Sequence, residues 1–143
     1  MGDISKHFSF WEFERSQTAK EHGINNTIPT AEIRANIVSL TDNVLEPLRE
    51  DLGARVDVNS GFRCDELNKL VGGEDDSQHK KGEAADIKSP FFTPIEIARR
   101  IVILQLPYDQ MIVYPTFVHV SHKRKGRQRG RILYNKSYKG EKI

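Results

Sequence analysis

The chain has 143 residues, enough for one domain with an apolar core and too few for two comfortable ones. Hydrophobic residues make up 37% and charged residues 29% of the sequence, a balance that excludes an intrinsically disordered chain. The formal net charge of +2 is too small to indicate a polyanionic partner by itself. We therefore expect a single domain spanning residues 1–143, in which 123–143 form a basic loop, a last strand and a tail.

Cys64 is the only cysteine, so the sequence excludes an internal disulfide and a thiolate-rich zinc site. Any metal must be held by histidines and carboxylates. No apolar run reaches the ~20 residues that cross a bilayer, and the first residues lack a basic stretch followed by an apolar one. We expect synthesis in the cytoplasm without a signal peptide, and no membrane partner.

The first predicted element is a short helix near residues 8–13, whose aromatic side chains we expect in the core. Residues 25–29 form a loop. Thr30 then caps a helix whose apolar residues recur at steps of three and four. Its apolar positions are Ile33, Ile37, Leu40, Val44, Leu45 and Leu48.

Pro47 predicts that this helix kinks or ends near Leu45, because proline lacks the backbone donor, and Gly53 closes the segment. Further along, Thr93 and Glu96 flank a proline in the pattern of a capping box, which predicts another helix. The remaining predicted strands cover 56–58, 84–87, 109–113, 117–121 and 132–134, and the predicted helices cover 65–71 and 94–104.

Helices gather early in the chain, and the strands need no crossover helices between them. This order favours an α+β fold with a mainly antiparallel sheet and the helices packed on one side.

A polar segment after the glycines at 72 and 73 leads to His79, and Asp86 follows seven residues later. That spacing does not suit one helical turn, but Gly82 can reverse the chain so that a loop histidine and a strand carboxylate converge. Imidazole and carboxylate together suit zinc, which in catalytic sites has three protein ligands and an open fourth position.

The third ligand is expected on a rigid element, and the predicted strand at 117–121 offers His119. Val118 and Val120 share one face of this strand, so His119 lies on the opposite, open face. By the same alternation, His122 points away. Taken alone, each histidine is more often a surface or structural residue, so the residues themselves leave both interpretations open.

Together these segments resemble the M15 metallopeptidases. Residues 77–86 are similar to the family's S-x-H-x-x-G-x-A-x-D motif, and 118–121 to its V-H-V-S motif. The likeness extends from the region 8–16, through 45–49 and 60–63, to residue 121. The nearest branch is the short form found in phage lysis proteins and bacterial cell-wall proteins.

The resemblance implies a D-Ala-D-Ala carboxypeptidase-like fold, shared with the hedgehog signalling domain, with one zinc ion bound by His79, Asp86 and His119. It also implies substrate-binding roles for Ser77 and for Arg63, the arginine of an S-G-F-R motif. A guanidinium can hold a substrate carboxylate or the oxyanion at a scissile carbonyl. From the residues alone, an ion pair of Arg63 with Asp65 or Glu66 is the alternative.

The sequence departs from the family where a general base is expected. Zinc peptidases commonly use a glutamate for this role, and the family carries one shortly before the last histidine. Here Tyr114 stands in that position. Tyrosine is a poor base at neutral pH but can donate a hydrogen bond to an oxyanion. The nearest carboxylate in sequence is Asp109, a catalytic candidate whose alternative role is to start a strand.

Residues 123–131 hold six cations, which can form a solvated turn or steer an anionic wall polymer.

The first hypothesis is a monomeric zinc peptidase acting on peptidoglycan stem peptides in the cell wall, as a carboxypeptidase or an endopeptidase. The second is a non-catalytic zinc-stabilised module that binds wall peptide or a protein. The third is a nucleic-acid-binding protein, which is disfavoured because residues 123–131 contain no aromatic side chain for base stacking and the first ones after them are Tyr134 and Tyr138.

Overall fold

The computed structural model describes residues 2–143, and it confirms an α+β fold built on one five-stranded sheet. The strand order is β1-β2-β4-β3-β5; every pair is antiparallel except β3 with β5, which is parallel. No helix among the described residues is long and apolar enough to cross a bilayer. The helices are α1 Phe10–Glu14, α2 Gln17–Glu21, α3 Ala31–Leu40, α4 Glu46–Leu52, α5 Asp65–Leu70 and α6 Pro94–Ile103. The strands are β1 Asp57–Ser60, β2 Ala84–Lys88, β3 Gln110–Val113, β4 Val118–Ser121 and β5 Arg131–Tyr134.

The expectation that all the N-terminal rings lie in the core is wrong for one of them. Phe8 and Phe13 are buried and Phe10 packs against the core, but Trp11 is 63% exposed. At about 100° per residue, a helix that turns Phe10 and Phe13 inward must turn Trp11 towards solvent.

The helical segment after Thr30 changes its geometry before Pro47 but continues as a helix beyond it. Thr30 caps α3 by accepting from the Ile33 backbone amide, as predicted. Between α3 and α4 the chain widens into a π-helical turn, Thr41–Leu45, and Pro47 then lies in the first turn of α4. The wider turn accommodates a residue that cannot donate to the preceding turn. Gly53, with φ +61°, closes the segment.

The sheet divides its side chains between two faces, and this division positions the candidate metal ligands. Val118 and Val120 pair with Ile87 and Ala85 and are fully buried in the core. Asp86 pairs with His119, so by strand alternation these two side chains share the opposite face. The backbone register thus places an imidazole and a carboxylate side by side.

Asp109 fastens the C-terminal strand to the sheet. Its buried carboxylate accepts from the backbone amide of Arg129 at 2.8 Å and from the guanidinium of the same residue at 2.7 Å, and its carbonyl accepts from the backbone amide of Arg131 at 3.1 Å. These bonds bring the chain back beside β3 in the parallel direction. Burial raises the pKa of Asp109, but the hydrogen bonds and charge of Arg129 outweigh it and lower the value to about 2.

Replacing Asp109 by asparagine is expected to destabilise the fold and to remove part of its acid sensitivity. Because the folded-state pKa, about 2, lies below the unfolded-state value near ~3.9, the stabilisation is complete above about pH 4 and is lost as the pH falls through 2. Urea unfolding at neutral pH should show a loss of about 2 kcal/mol for D109N, and a flatter dependence of stability between about pH 4 and 2. The exposed Asp76→Asn is the matched control; equal stability of D109N and D76N contradicts this role.

Candidate metal centre

Two imidazole rings converge on one carboxylate oxygen at the open face of the sheet. Asp86 Oδ1 lies 2.9 Å from His119 Nδ1 and 3.3 Å from His79 Nε2. The two imidazole rings are 5.1 Å apart between centroids, and one ligand atom from each of the three residues lies within 4.8 Å of the others. We call His79, Asp86 and His119 the His–Asp–His trio. His122 lies elsewhere and bonds to Ser39 and to the Pro107 carbonyl, so the strand alternation separates the two histidines as predicted.

His79 reaches the sheet from a short 3-10 turn, Gln78–Lys81, rather than from an irregular loop. Ser77 caps this turn by accepting from the His79 backbone amide at 3.2 Å. Gly82 ends it with φ +74° and packs so closely that a Cβ atom would lie 2.8 Å from the Ile33 carbonyl oxygen. The predicted chain reversal at Gly82 is therefore confirmed, and a left-handed residue without a side chain is required there.

The protonation of the trio fits a bound cation. His79 Nδ1 lies 2.7 Å from the Gly61 carbonyl oxygen, which can only accept, so the ring proton belongs on Nδ1 and Nε2 carries a lone pair. Nε2 and Asp86 Oδ1 then face each other without a proton between them. Burial lowers the pKa of His79 despite the nearby carboxylate, so a second ring proton is disfavoured. A metal ion between these atoms satisfies both lone pairs.

The Asp86 carboxylate is ionised in this setting. Burial by itself raises its pKa, but the neighbouring imidazoles of His119 and His79 more than offset that effect, and the pKa lies well below its usual range. An anionic carboxylate and two neutral imidazoles are the donor set that zinc takes in three-ligand protein sites. The residues present therefore fit a zinc ion.

Arg63 lies at the edge of the trio and not in a local ion pair. Its Nη2 is 3.6 Å from Asp86 Oδ2, while Nε donates to Ser60 and Nη1 to Asn68. The ion pair with Asp65 or Glu66 that the sequence left open does not form; Asp65 pairs with Lys80 instead. Burial lowers the pKa of Arg63, an effect that Asp86 partly counters, yet a guanidinium remains charged at neutral pH.

Tyr114 directly follows β3, in which Ile112 lies opposite His119, and by strand alternation it shares the face of Ile112 and of the trio. Burial first, and the Asp86 carboxylate second, raise its pKa, with Arg63 opposing. The hydroxyl is therefore protonated at neutral pH and can donate a hydrogen bond. The ring is held in place by stacking on Phe117 at 4.3 Å.

Asp109, the other candidate base, does not contact the trio. Its carboxylate is 0% exposed and is engaged by Arg129, Lys123 and Gln78. Within residues 2–143, the metal-capable group at the open face contains one carboxylate, that of Asp86. The geometry favours a structural role for Asp109.

Two supporting groups escaped the sequence analysis. The Gly61 carbonyl fixes the ring of His79, which is 18 residues away in the sequence. Gly61 belongs to the S-G-F-R motif, but the motif gave no sign of this contact. The buried side-chain amide of Asn26 donates to the Glu14 and Phe62 carbonyls and accepts from the Cys64 backbone amide. It thus ties the N-terminal helices to the two residues that flank Arg63. Its partners are 12 to 38 residues away, so no local pattern signals this role.

A second metal-capable group consists of His7, Glu46 and Glu50. Here the ligand atoms already bond to each other: Glu46 accepts from Ser5 Oγ, from the His7 backbone amide and at 2.7 Å from His7 Nδ1. This group ties the N-terminal residues to α4.

The family model described as Peptidase M15 matches residues 6–121. The chain belongs to the peptidase M15 family. The match includes all three members of the His–Asp–His trio, and it ends at the last residue of β4, before the basic loop and β5. No curated protein matches the chain. Family membership supports a peptidase function.

Proposed function

We propose that this M15 protein is a zinc-dependent peptidase that acts on the stem peptides of peptidoglycan at the cell wall. The observation that carries the proposal is the convergence of His79 Nε2 and His119 Nδ1 on one oxygen of Asp86, a donor set that can hold a zinc ion. When bound, zinc supplies Lewis acidity, which polarises a peptide carbonyl and lowers the pKa of water.

The residues around the trio have complementary tasks in this proposal. Arg63, whose guanidinium is fixed by Ser60 and Asn68, holds a carboxylate or the carbonyl oxygen of the substrate. Tyr114 donates its hydroxyl proton in a hydrogen bond to the oxygen on which negative charge develops. Ser77 positions His79 through the cap of its turn.

The distribution of charge supports an anionic substrate. The basic segment, residues 123–143, contains nine lysines and arginines and one glutamate, a formal charge of +8. The other 122 residues contain 13 cations and 19 acids, a formal charge of −6. Such a separated charge attracts anionic polymers over a distance set by the ionic strength. We propose that the basic segment draws the carboxylate-bearing wall towards the enzyme.

A second function, a non-catalytic zinc-stabilised module that binds wall peptide, is favoured by one observation. Tyr114 occupies the position in which the family carries a glutamate, and Asp86, a member of the trio, is the single carboxylate of the open-face group. Such a module would bind zinc and peptidoglycan without cutting it.

Metal analysis of the purified protein tests the trio. We expect about one zinc ion per chain by mass spectrometry, and loss of that zinc in His79→Ala and His119→Ala, because each change removes one of three protein ligands. The exposed His22→Ala is the control and should retain the metal. Full zinc occupancy in H119A would exclude the proposed site, provided that circular dichroism shows both variants folded.

Incubation with purified sacculi tests the peptidase function and separates it from the binding module. We expect soluble peptide fragments in the presence of the protein, none after chelation, and recovery when zinc is restored. Mass spectrometry of the fragments identifies the bond, and so distinguishes a carboxypeptidase from an endopeptidase. Co-sedimentation with sacculi without any release supports the binding module, and release that is insensitive to chelator contradicts zinc catalysis.

Replacing Tyr114 by phenylalanine tests whether the hydroxyl takes part in catalysis. We expect kcat to fall by about 10²- to 10³-fold with little change in KM, as observed when one oxyanion donor is removed. Zinc content should not change, because Tyr114 is not a member of the trio. Tyr138→Phe, in the C-terminal tail, is the matched control. An unchanged kcat in Y114F would show that the hydroxyl has no role in catalysis.

A further inference from the structure

A cleft of about 740 Å³ lies beside the N-terminal helices and the free edge of the sheet. Its volume is in the range of small-molecule binding sites. Its lining residues include Trp11 of α1, Arg15 at the end of that helix, Gln17 and Lys20 of α2, and Val58 and Asn59 of β1. We call it the Trp11 cleft.

Trp11 is held at this cleft by its neighbour one helical turn away. The Arg15 guanidinium lies 5.0 Å from the centroid of the indole ring and donates to the Val58 carbonyl at 3.2 Å. The cation thus links the ring to the edge strand and restrains it, although Trp11 remains 63% exposed. Together with the cleft, the restrained indole offers a flat apolar surface against which a ligand can pack.

The cleft does not suit an added peptide strand. β1 is an edge strand, and its free carbonyls would be the points at which an extended peptide pairs. Arg15 already occupies one of them, that of Val58. The Trp11 cleft instead combines an exposed indole with exposed amide and ammonium side chains of Gln17, Asn59 and Lys20.

That combination matches a saccharide. The C–H face of a pyranose ring packs on an indole, while its hydroxyl and acetamido groups require hydrogen-bond partners. The position of the cleft agrees with this chemistry, because β1 pairs with β2 and Ser60 lies opposite Asp86. Neighbouring strands are about 4.8 Å apart, so β1, which forms one wall of the cleft, lies directly beside the strand that carries Asp86.

We infer that the Trp11 cleft binds the amino-sugar part of a stem peptide that is still attached to its glycan strand. In peptidoglycan the stem peptide is joined covalently to an amino sugar, so a sugar beside β1 places the attached peptide over the open face of the sheet. The inference rests on the proposed function for the peptide, whereas binding of the sugar stands on the cleft alone. It identifies the substrate as glycan-linked peptide rather than free peptide.

Titrations of the zinc-loaded full chain test the inference, with mass spectrometry of each ligand after the titration to show that it has not been cut. The ligands are a disaccharide–tetrapeptide, the same tetrapeptide without sugar, and a tetramer of N-acetylglucosamine. We expect calorimetry to show about ten-fold tighter binding of the sugar-bearing peptide than of the free peptide. Trp11 is the only tryptophan, so its fluorescence reports occupation of the cleft, and the sugar tetramer should change it.

Variants separate the cleft from other surfaces. Trp11→Ala should remove the preference for the sugar-bearing peptide, and Trp11→Phe should retain most of it. Phe91→Ala, another exposed aromatic residue that is not among the lining residues, should leave it unchanged. Equal affinities for the two peptides, or a preference that survives W11A, overturns the inference. If the sugar tetramer binds but sacculi are not cut, sugar binding in the cleft is supported and the peptidase proposal fails. If sacculi are cut but no sugar preference is found, the peptidase proposal is supported and the inference about the cleft fails.

Discussion

The convergence of two imidazole rings on the Asp86 carboxylate is the interaction on which the candidate metal centre depends. A buried carboxylate is costly unless it is hydrogen-bonded or paired with positive charge. Asp86 meets this requirement through His79, His119 and, at its other oxygen, Arg63. His79 lies in the 3-10 turn, His119 in β4 and Arg63 in the loop that follows β1. The carboxylate therefore constrains how these three segments are arranged.

The backbone supplies the precision that these side chains need. Asp86 and His119 are opposite each other in the register of β2 and β4, where slippage of one strand by one residue would turn its side chain to the core and separate the pair. His79 is fixed at both ends: its ring bonds to the Gly61 carbonyl, and its own carbonyl accepts from the Arg63 backbone amide at 3.2 Å. Gly61 in turn lies against Phe13, where a Cβ atom would be 2.7 Å from the Phe13 Cα atom. The N-terminal helix therefore contributes to the position of His79.

The chemistry beside the trio differs from that of a peptidase with a glutamate base. Tyr114 remains protonated because burial and the Asp86 carboxylate both disfavour its anion, so it donates rather than accepts a proton. Arg63 adds a fixed positive charge on the same side. These two groups suit the stabilisation of negative charge on a substrate, which both a catalyst and a peptide-binding module would use. In the proposed function, the Trp11 cleft and the basic segment would extend this recognition to the sugar and the charge of the wall.

The sequence by itself determined most of the elements and the residue types of the site, although it did not predict α2 or the π-helical turn. Steps of three and four predicted α3, the capping box at Thr93 predicted α6, and strand alternation separated His119 from His122, because each is a local consequence of helix or strand geometry. Only the tertiary structure decided what depends on distant contacts. It placed Arg63 against Asp86 rather than Asp65, assigned Asp109 to the anchoring of β5, and left Trp11 exposed at a cleft. These outcomes depend on which segments meet across the sheet, and a one-dimensional pattern does not contain that information.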